Sequence, residues 1–155
     1  MDDQAAQVLG EPVIDGVILL ARGAAKKLRA NSGAVGGGLL GSVVARAAGD
    51  KLSKDTTPSQ PSPNDYSGGG YLAVTPSRLV LFSTEDGRFK QKLGSPLAVF
   101  SPGDVDCFEF GKAAAGVGTL DIVTASGDRW AFEYSKMVRK KLTRMAGAAG
   151  AAIVD

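Results

Sequence analysis

From Tyr71 to Tyr134 the chain is a succession of short β-branched and aromatic runs. They are Tyr71–Thr75, Arg78–Ser83, Arg88–Leu93, Leu97–Phe100, Val105–Phe110, Val117–Thr124 and Arg129–Tyr134. Turn-forming residues separate them: Thr75-Pro76-Ser77, Asp86-Gly87, Gly94-Ser95-Pro96, Ser101-Pro102-Gly103 and Ser126-Gly127-Asp128. Strands this short, at this regular spacing, predict an antiparallel meander closing as a sandwich or barrel. Alternation is clearest in the last run, where Trp130, Phe132 and Tyr134 share one face and Ala131 and Glu133 the other. After Tyr134 the period changes. Val138, Leu142, Met145 and Ala149 form one stripe of a helix whose other side carries Lys136, Arg139, Lys140 and Arg144, with Lys141 at the border. Ser135 is the expected N-cap.

Upstream, residues 1–10 predict a short helix, with Asp2 and Asp3 at its positive end and Gly10 after its last turn. Pro12–Ala21 is nearly continuous aliphatic around Asp15-Gly16, which suits a strand bent at Gly16, with a buried helical segment as the alternative. Residues 23–54 differ in kind. Gly33, Gly37, Gly41, Ala45 and Gly49 recur at every fourth position, with Leu39, Leu40, Val43 and Val44 on other faces. On a helix these small residues make one groove where a second backbone can approach closely. A flexible glycine loop competes with that reading, because each glycine weakens a helix by up to about 1 kcal/mol relative to alanine. The register of the small residues favours the helix. The alanine- and glycine-rich segment 146–152 is a natural partner within the chain, and a second copy or another protein are the others. Residues 55–69 are proline-, serine- and glycine-rich and read as a mobile loop.

Composition narrows the chemistry. The 155 residues contain no histidine and one cysteine, Cys107. Serine–histidine and cysteine–histidine nucleophile pairs, imidazole metal sites and an internal disulfide are thereby excluded within this chain. Cys107, beside Phe108 and without a neighbouring base, reads as a small buried hydrophobe. Asp104, Asp106 and Glu109 form the one compact acidic cluster, which turn chemistry after Pro102-Gly103 explains more simply than a cation site. No catalytic residue, metal or cofactor is expected. Trp130 and Phe132 are expected in the core rather than on a ligand platform.

A net charge of +2 is too small to indicate nucleic acid. It is unevenly spread, however. Residues 22–54 hold seven basic residues against one acidic, whereas 55–134 hold six against ten. Lys26, Lys27 and Arg29, with Lys136, Arg139, Lys140 and Arg144, are therefore candidates for contact with an anionic membrane surface. The competing explanation is ordinary solvation of helix surfaces. An acidic amino-terminal stretch argues against a secretory signal. The uncharged run from Gly33 to Ala45 would reach only about 20 Å as a helix, short of a span. The expected location is cytoplasmic, with peripheral contact at the inner face of the membrane as the variant.

Tyr71-Leu72-Ala73-Val74-Thr75-Pro76-Ser77-Arg78-Leu79-Val80-Leu81-Phe82 resembles the hairpin of bacterial PH-like domains, related in shape to pleckstrin-homology and GRAM modules. The resemblance covers roughly 70–145, with Pro12–Ala21 as first strand. It implies an α+β, mainly β fold: an antiparallel, partly open barrel with a C-terminal amphipathic helix. Residues 11–22 and 70–150 would form that domain, and 23–54 a glycine-rich helical insertion after the first strand. It also implies binding of lipids, peptides or other subunits and no enzymatic activity. The expected function is a non-catalytic assembly module that self-associates or holds a protein partner through the small-residue stripe. A peripheral module for anionic lipid is the alternative.

Overall fold

The structure, a computed structural model, describes residues 1–27, 61–86, 91–114 and 116–155. The small-residue stripe Gly33, Gly37, Gly41, Ala45 and Gly49 lies outside the described residues, as does Arg29. Helix α1 (Asp2–Leu9) precedes strand β1 (Asp15–Ala21), and strands β2 (Gly70–Val74), β3 (Leu79–Asp86) and β4 (Gln91–Phe100) follow. Strands β5 (Val105–Ala114), β6 (Val117–Thr124) and β7 (Arg129–Ser135) lead into helix α2 (Arg139–Ala148) and a short strand β8 (Ala152–Val154). The fold is mainly β. Its eight strands form one sheet in the order β4-β3-β2-β1-β7-β6-β5-β8, with β4 and β8 at the edges.

β1 joins the two halves of this sheet. Residues Asp15–Leu19 pair with β2, and Leu20 and Ala21 then pair with Glu133 and Phe132 of β7. The alternation expected of β7 holds, since Trp130, Phe132 and Tyr134 are all buried. They meet Leu19, Leu72, Leu81, Phe108, Leu120 and Ile122 in one core. Helix α2 covers this core with Leu142, Met145 and Ala146, joined by Ala149 at its C-cap. Each fully buried large aliphatic contributes roughly 1.5–3 kcal/mol. Gly118 is required where it stands: it pairs with Tyr134, and a Cβ there would lie 2.5 Å from the tyrosine ring.

A second cluster sits on the other face of β2 and β3. Tyr71, Ala73, Val80 and Phe82 are covered by Ala5 of α1, with Met1, Leu9 and Val13 around it. This explains why every residue of β2 is buried: the strand has a core on both sides. Tyr71 donates its hydroxyl to Asp2 at the start of α1, and Arg78 pairs with Glu11 just after it.

Several expectations are corrected. Gly94-Ser95-Pro96 is no turn, because β4 runs through it as a single strand from Gln91 to Phe100. The β3–β4 register shifts on either side of Phe82, which pairs with Pro96. β4 is an edge strand, where the missing proline N–H need leave no ladder bond unmade. Ser135 gives no side-chain cap, and a 3-10 turn, Lys136–Val138, comes between it and α2. The alanine- and glycine-rich segment 146–152 is not one helical surface free to pair. Ala146 and Ala149 are in the core, Gly150 turns the chain at φ +70°, and Ala152 begins β8. The sheet thus includes residues up to Val154. Residues 61–69 pack against the sheet through a 3-10 turn, Pro63–Asp65, and Tyr66, which lies on the core. The rest of that loop is outside the described residues.

Candidate functional site

The glycine-rich segment leaves the sheet at the end of β1, and its first residues are gripped there. Pairing of Leu20 with Glu133 sets the Glu133 side chain beside the departing chain. Its carboxylate accepts the Gly23 N–H at one oxygen and the Ala25 N–H at the other, both at 2.8 Å. Glu133 is only 4% exposed, and Ala25 is buried with it. A helical turn starts at Ala24, and the Lys27 N–H reaches the Gly23 carbonyl at 3.1 Å. Glu133 therefore satisfies amides that the start of a helix leaves unpaired, and its negative charge faces the positive end of the helical turn. Period-two alternation places Glu133 on the outward face and gives no hint of this role. Its signal would have been an acidic residue cross-strand from the place where the insertion departs.

A chain of ion pairs strengthens the same face. Arg22 contacts Asp121 at 2.6 Å and the Phe132 carbonyl at 3.2 Å. Arg129 contacts Asp121 at 3.4 Å and grips both oxygens of Glu109, at 2.5 and 3.1 Å. The Arg129 hydrogen bonds hold the Glu109 carboxyl below the usual carboxylate range. These groups are partly exposed, so each pair is worth little alone, but together they tie β1, β6, β7 and β5.

The basic candidates separate into two sets. Lys26, Lys27, Lys136 and Lys140 are exposed, and they carry no ion pair among the described residues. Met137, next to Lys136, is 91% exposed. Arg139 and Arg144 are instead engaged within the fold. The Arg139 guanidinium lies 4.3 Å from the Phe110 ring centre, donates to the Tyr134 hydroxyl at 3.2 Å and pairs with Asp155. Arg144 reaches Asp15 at 3.4 Å, and the neighbouring Lys141 binds the same carboxylate at 2.5 Å.

The acidic candidates are dispersed. Asp104 accepts the Ser101 N–H at 2.7 Å within the turn before β5, Asp106 is exposed, and Glu109 belongs to Arg129. No group of three or more acidic or cysteine side chains with metal-binding geometry occurs among the described residues. Burial pushes the Cys107 thiol up, the charges of Glu109 and Asp106 push the same way, and Arg129 opposes them. Trp130 is 3% exposed, with Tyr66 packed edge-on 5.7 Å away. A shallow cleft beside it is lined by Leu97, Phe100, Thr124 and Asp128, with Pro61 and Pro63 at its lip. No protein-family model matches the chain, and no curated protein matches its sequence. Among the described residues, no helix is long and apolar enough to cross a membrane.

Proposed function

We propose that this chain is a non-catalytic assembly module, in which a barrel of PH-like plan holds out the glycine-rich segment for helix–helix packing. The observation that carries this is the Glu133 grip. A buried carboxylate bound to two backbone amides at the base of the segment is an anchor, and a mere spacer would need none. The strand order, in which β1 links a β2–β4 half to a β5–β7 half and a helix packs on their core, supports the PH-like plan. The non-enzymatic reading is supported by what the reactive groups do. Glu109, Asp121 and Asp104 are consumed in structural contacts, and the Cys107 thiol is made less acidic by its surroundings.

On the segment, Gly33, Gly37, Gly41, Ala45 and Gly49 supply the groove, and its partner is a second copy or another protein. Sedimentation velocity tests this. The double substitution Gly37→Leu, Gly41→Leu should abolish a concentration-dependent oligomer formed by the unaltered chain. A sedimentation profile indifferent to the substitution refutes the proposal.

A second reading has its own support. Met137 projects into solvent beside Lys136, with Lys140 one helical turn on. An apolar side chain flanked by exposed lysines suits shallow insertion into an anionic bilayer. Flotation with vesicles containing acidic lipid, at two salt concentrations, separates the readings: Met137→Ser should weaken lipid binding and leave the oligomer intact.

A further inference from the structure

We infer, resting on the lipid reading above, that the protein meets an anionic bilayer end-on, through a tip made of the β5–β6 turn and the 3-10 turn Lys136–Val138. At that tip Met137 enters the apolar layer just under the headgroups, while Lys112, Lys136 and Lys140 stay at the level of the lipid phosphates. Strands β5, β6 and β7 then stand with their other ends directed away from the membrane.

β5 and β7 both run antiparallel to β6, so the end of β5, the start of β6 and the end of β7 coincide. Ala114 pairs with Val117, Val117 with Ser135, and the Lys136 N–H reaches the Gly116 carbonyl at 2.9 Å. The two turns are thereby joined into one tip, seated on the core by Phe110 and Tyr134 on one side and Leu142 on the other. Lys112 pairs with Gly118, which pairs with Tyr134, so it stands at the same end.

The chemistry of this end suits an acidic leaflet. Lys112, Ala113, Gly116, Lys136, Met137 and Lys140 are exposed, and Met137 is 91% exposed although Val138 beside it packs on the core. Neither 110–120 nor 134–154 contains an acidic residue. The first turn of α2 is basic as well, at the helix end where the dipole disfavours positive charge. Asp155 offsets Arg139 there and Asp15 offsets Lys141, and an anionic leaflet would do the same for Lys136 and Lys140. At the opposite end of the same three strands stand Asp104, Asp106 and Asp128. This separation of charge along the strands turns the basic tip towards an acidic surface and the other end away from it. Lysine stems are long enough to keep their charge at the phosphates while an apolar neighbour goes deeper. The small residues Ala113 and Gly116 let the turn approach without burying a charge.

The test is flotation of the full chain with vesicles of phosphatidylcholine, alone or mixed with phosphatidylserine, while Trp130 emission reports that each variant keeps its core. At roughly fivefold per lysine near an acidic leaflet, Lys112→Gln, Lys136→Gln and Lys140→Gln together should weaken binding about a hundredfold. Lys26→Gln with Lys27→Gln removes charge from another part of the chain and should weaken it only a few-fold. A nitrobenzoxadiazole label at Ala113→Cys should shift to the blue with acidic vesicles, and the same label at Ser126→Cys, at the far end, should not; buried Cys107 is spared. Binding that survives the triple substitution, an equal loss from the Lys26 and Lys27 pair, or a blue shift at 126 rather than 113 overturns the tip and leaves the lipid reading standing. A natively folded, unaltered chain that floats with neither vesicle at low salt overturns both.

Discussion

Replacing Glu133 by glutamine tests the anchor with one atom changed. The glutamine carbonyl can still accept one of the two amides at the base of the glycine-rich segment, but its NH2 group faces the other as donor against donor. One buried N–H is left unsatisfied, at about 1–3 kcal/mol, and the surviving bond loses its charge assistance, about 1 kcal/mol more. A total of about 2–4 kcal/mol is expected, limited by whatever the start of the segment regains by opening to water. Urea unfolding followed by the single, buried Trp130 measures it. With a slope of about 1–3 kcal/mol per molar for a small domain, the midpoint should fall by roughly 1 M or more. Hydrogen exchange at the Ala25 amide should accelerate in the same variant, while amides in β6 respond only as far as global stability falls. An unchanged midpoint together with unchanged Ala25 protection would refute the anchor. The proposed assembly links to the same experiment, since loosening this grip should also weaken any oligomer built through the segment.

Leu142→Ala removes a fully buried side chain of α2 and should cost about 2–5 kcal/mol in the same unfolding assay; a loss below 1 kcal/mol would mean that α2 is not part of the core. Gly118→Ala should destabilise by about 1–3 kcal/mol, because the new Cβ meets the Tyr134 ring at 2.5 Å and that ring is buried. Acidification should lower the unfolding midpoint. Folding depresses the Glu109 carboxyl through Arg129, and depresses Glu11 chiefly through the Ser77 hydroxyl, with Arg78 adding to it. The unfolded chain therefore takes up protons first, so this stabilisation is present above the ordinary glutamate pKa of about 4.3 and is lost as pH falls through the lower, folded values. Glu109→Gln should flatten the acid limb, and a variant with the same slope would show that the pair contributes nothing. Cys107 should resist iodoacetamide at pH 8 in the native state and react promptly in urea, and comparable rates in the two would contradict its burial and raised pKa.

Strand β6 begins and ends where its pattern of apolar residues says, and β7 differs by one residue. Helix α1 stops at Gly10, as its polar start and glycine end imply. Each of these depends on properties of neighbouring residues: side-chain alternation, dipole complementarity, and a glycine that ends a turn. β4 defeated the same logic. Gly94 and Pro96 are turn residues in isolation, but an edge strand tolerates both, and the register shift opposite Phe82 accommodates them. β8 did have a local signal, Gly150 followed by the β-branched pair Ile153-Val154, masked by the run of small residues before it.

Local chemistry along the chain was enough to specify a mainly β module with an amphipathic helix after its last long strand, and with the aromatic face of β7 inside. It was also enough to exclude histidine chemistry and an internal disulfide within this chain. What lay beyond it was the meeting of segments far apart in the chain. Glu133 becomes an anchor because β1 delivers Gly23 and Ala25 to it across 110 and 108 residues of chain. Arg139 is held in place because Phe110, Tyr134 and Asp155 converge on one side chain. A residue's polarity and spacing are written locally, whereas its partner is set by which distant strands pair, and charge acquires a role only once burial removes the competing water.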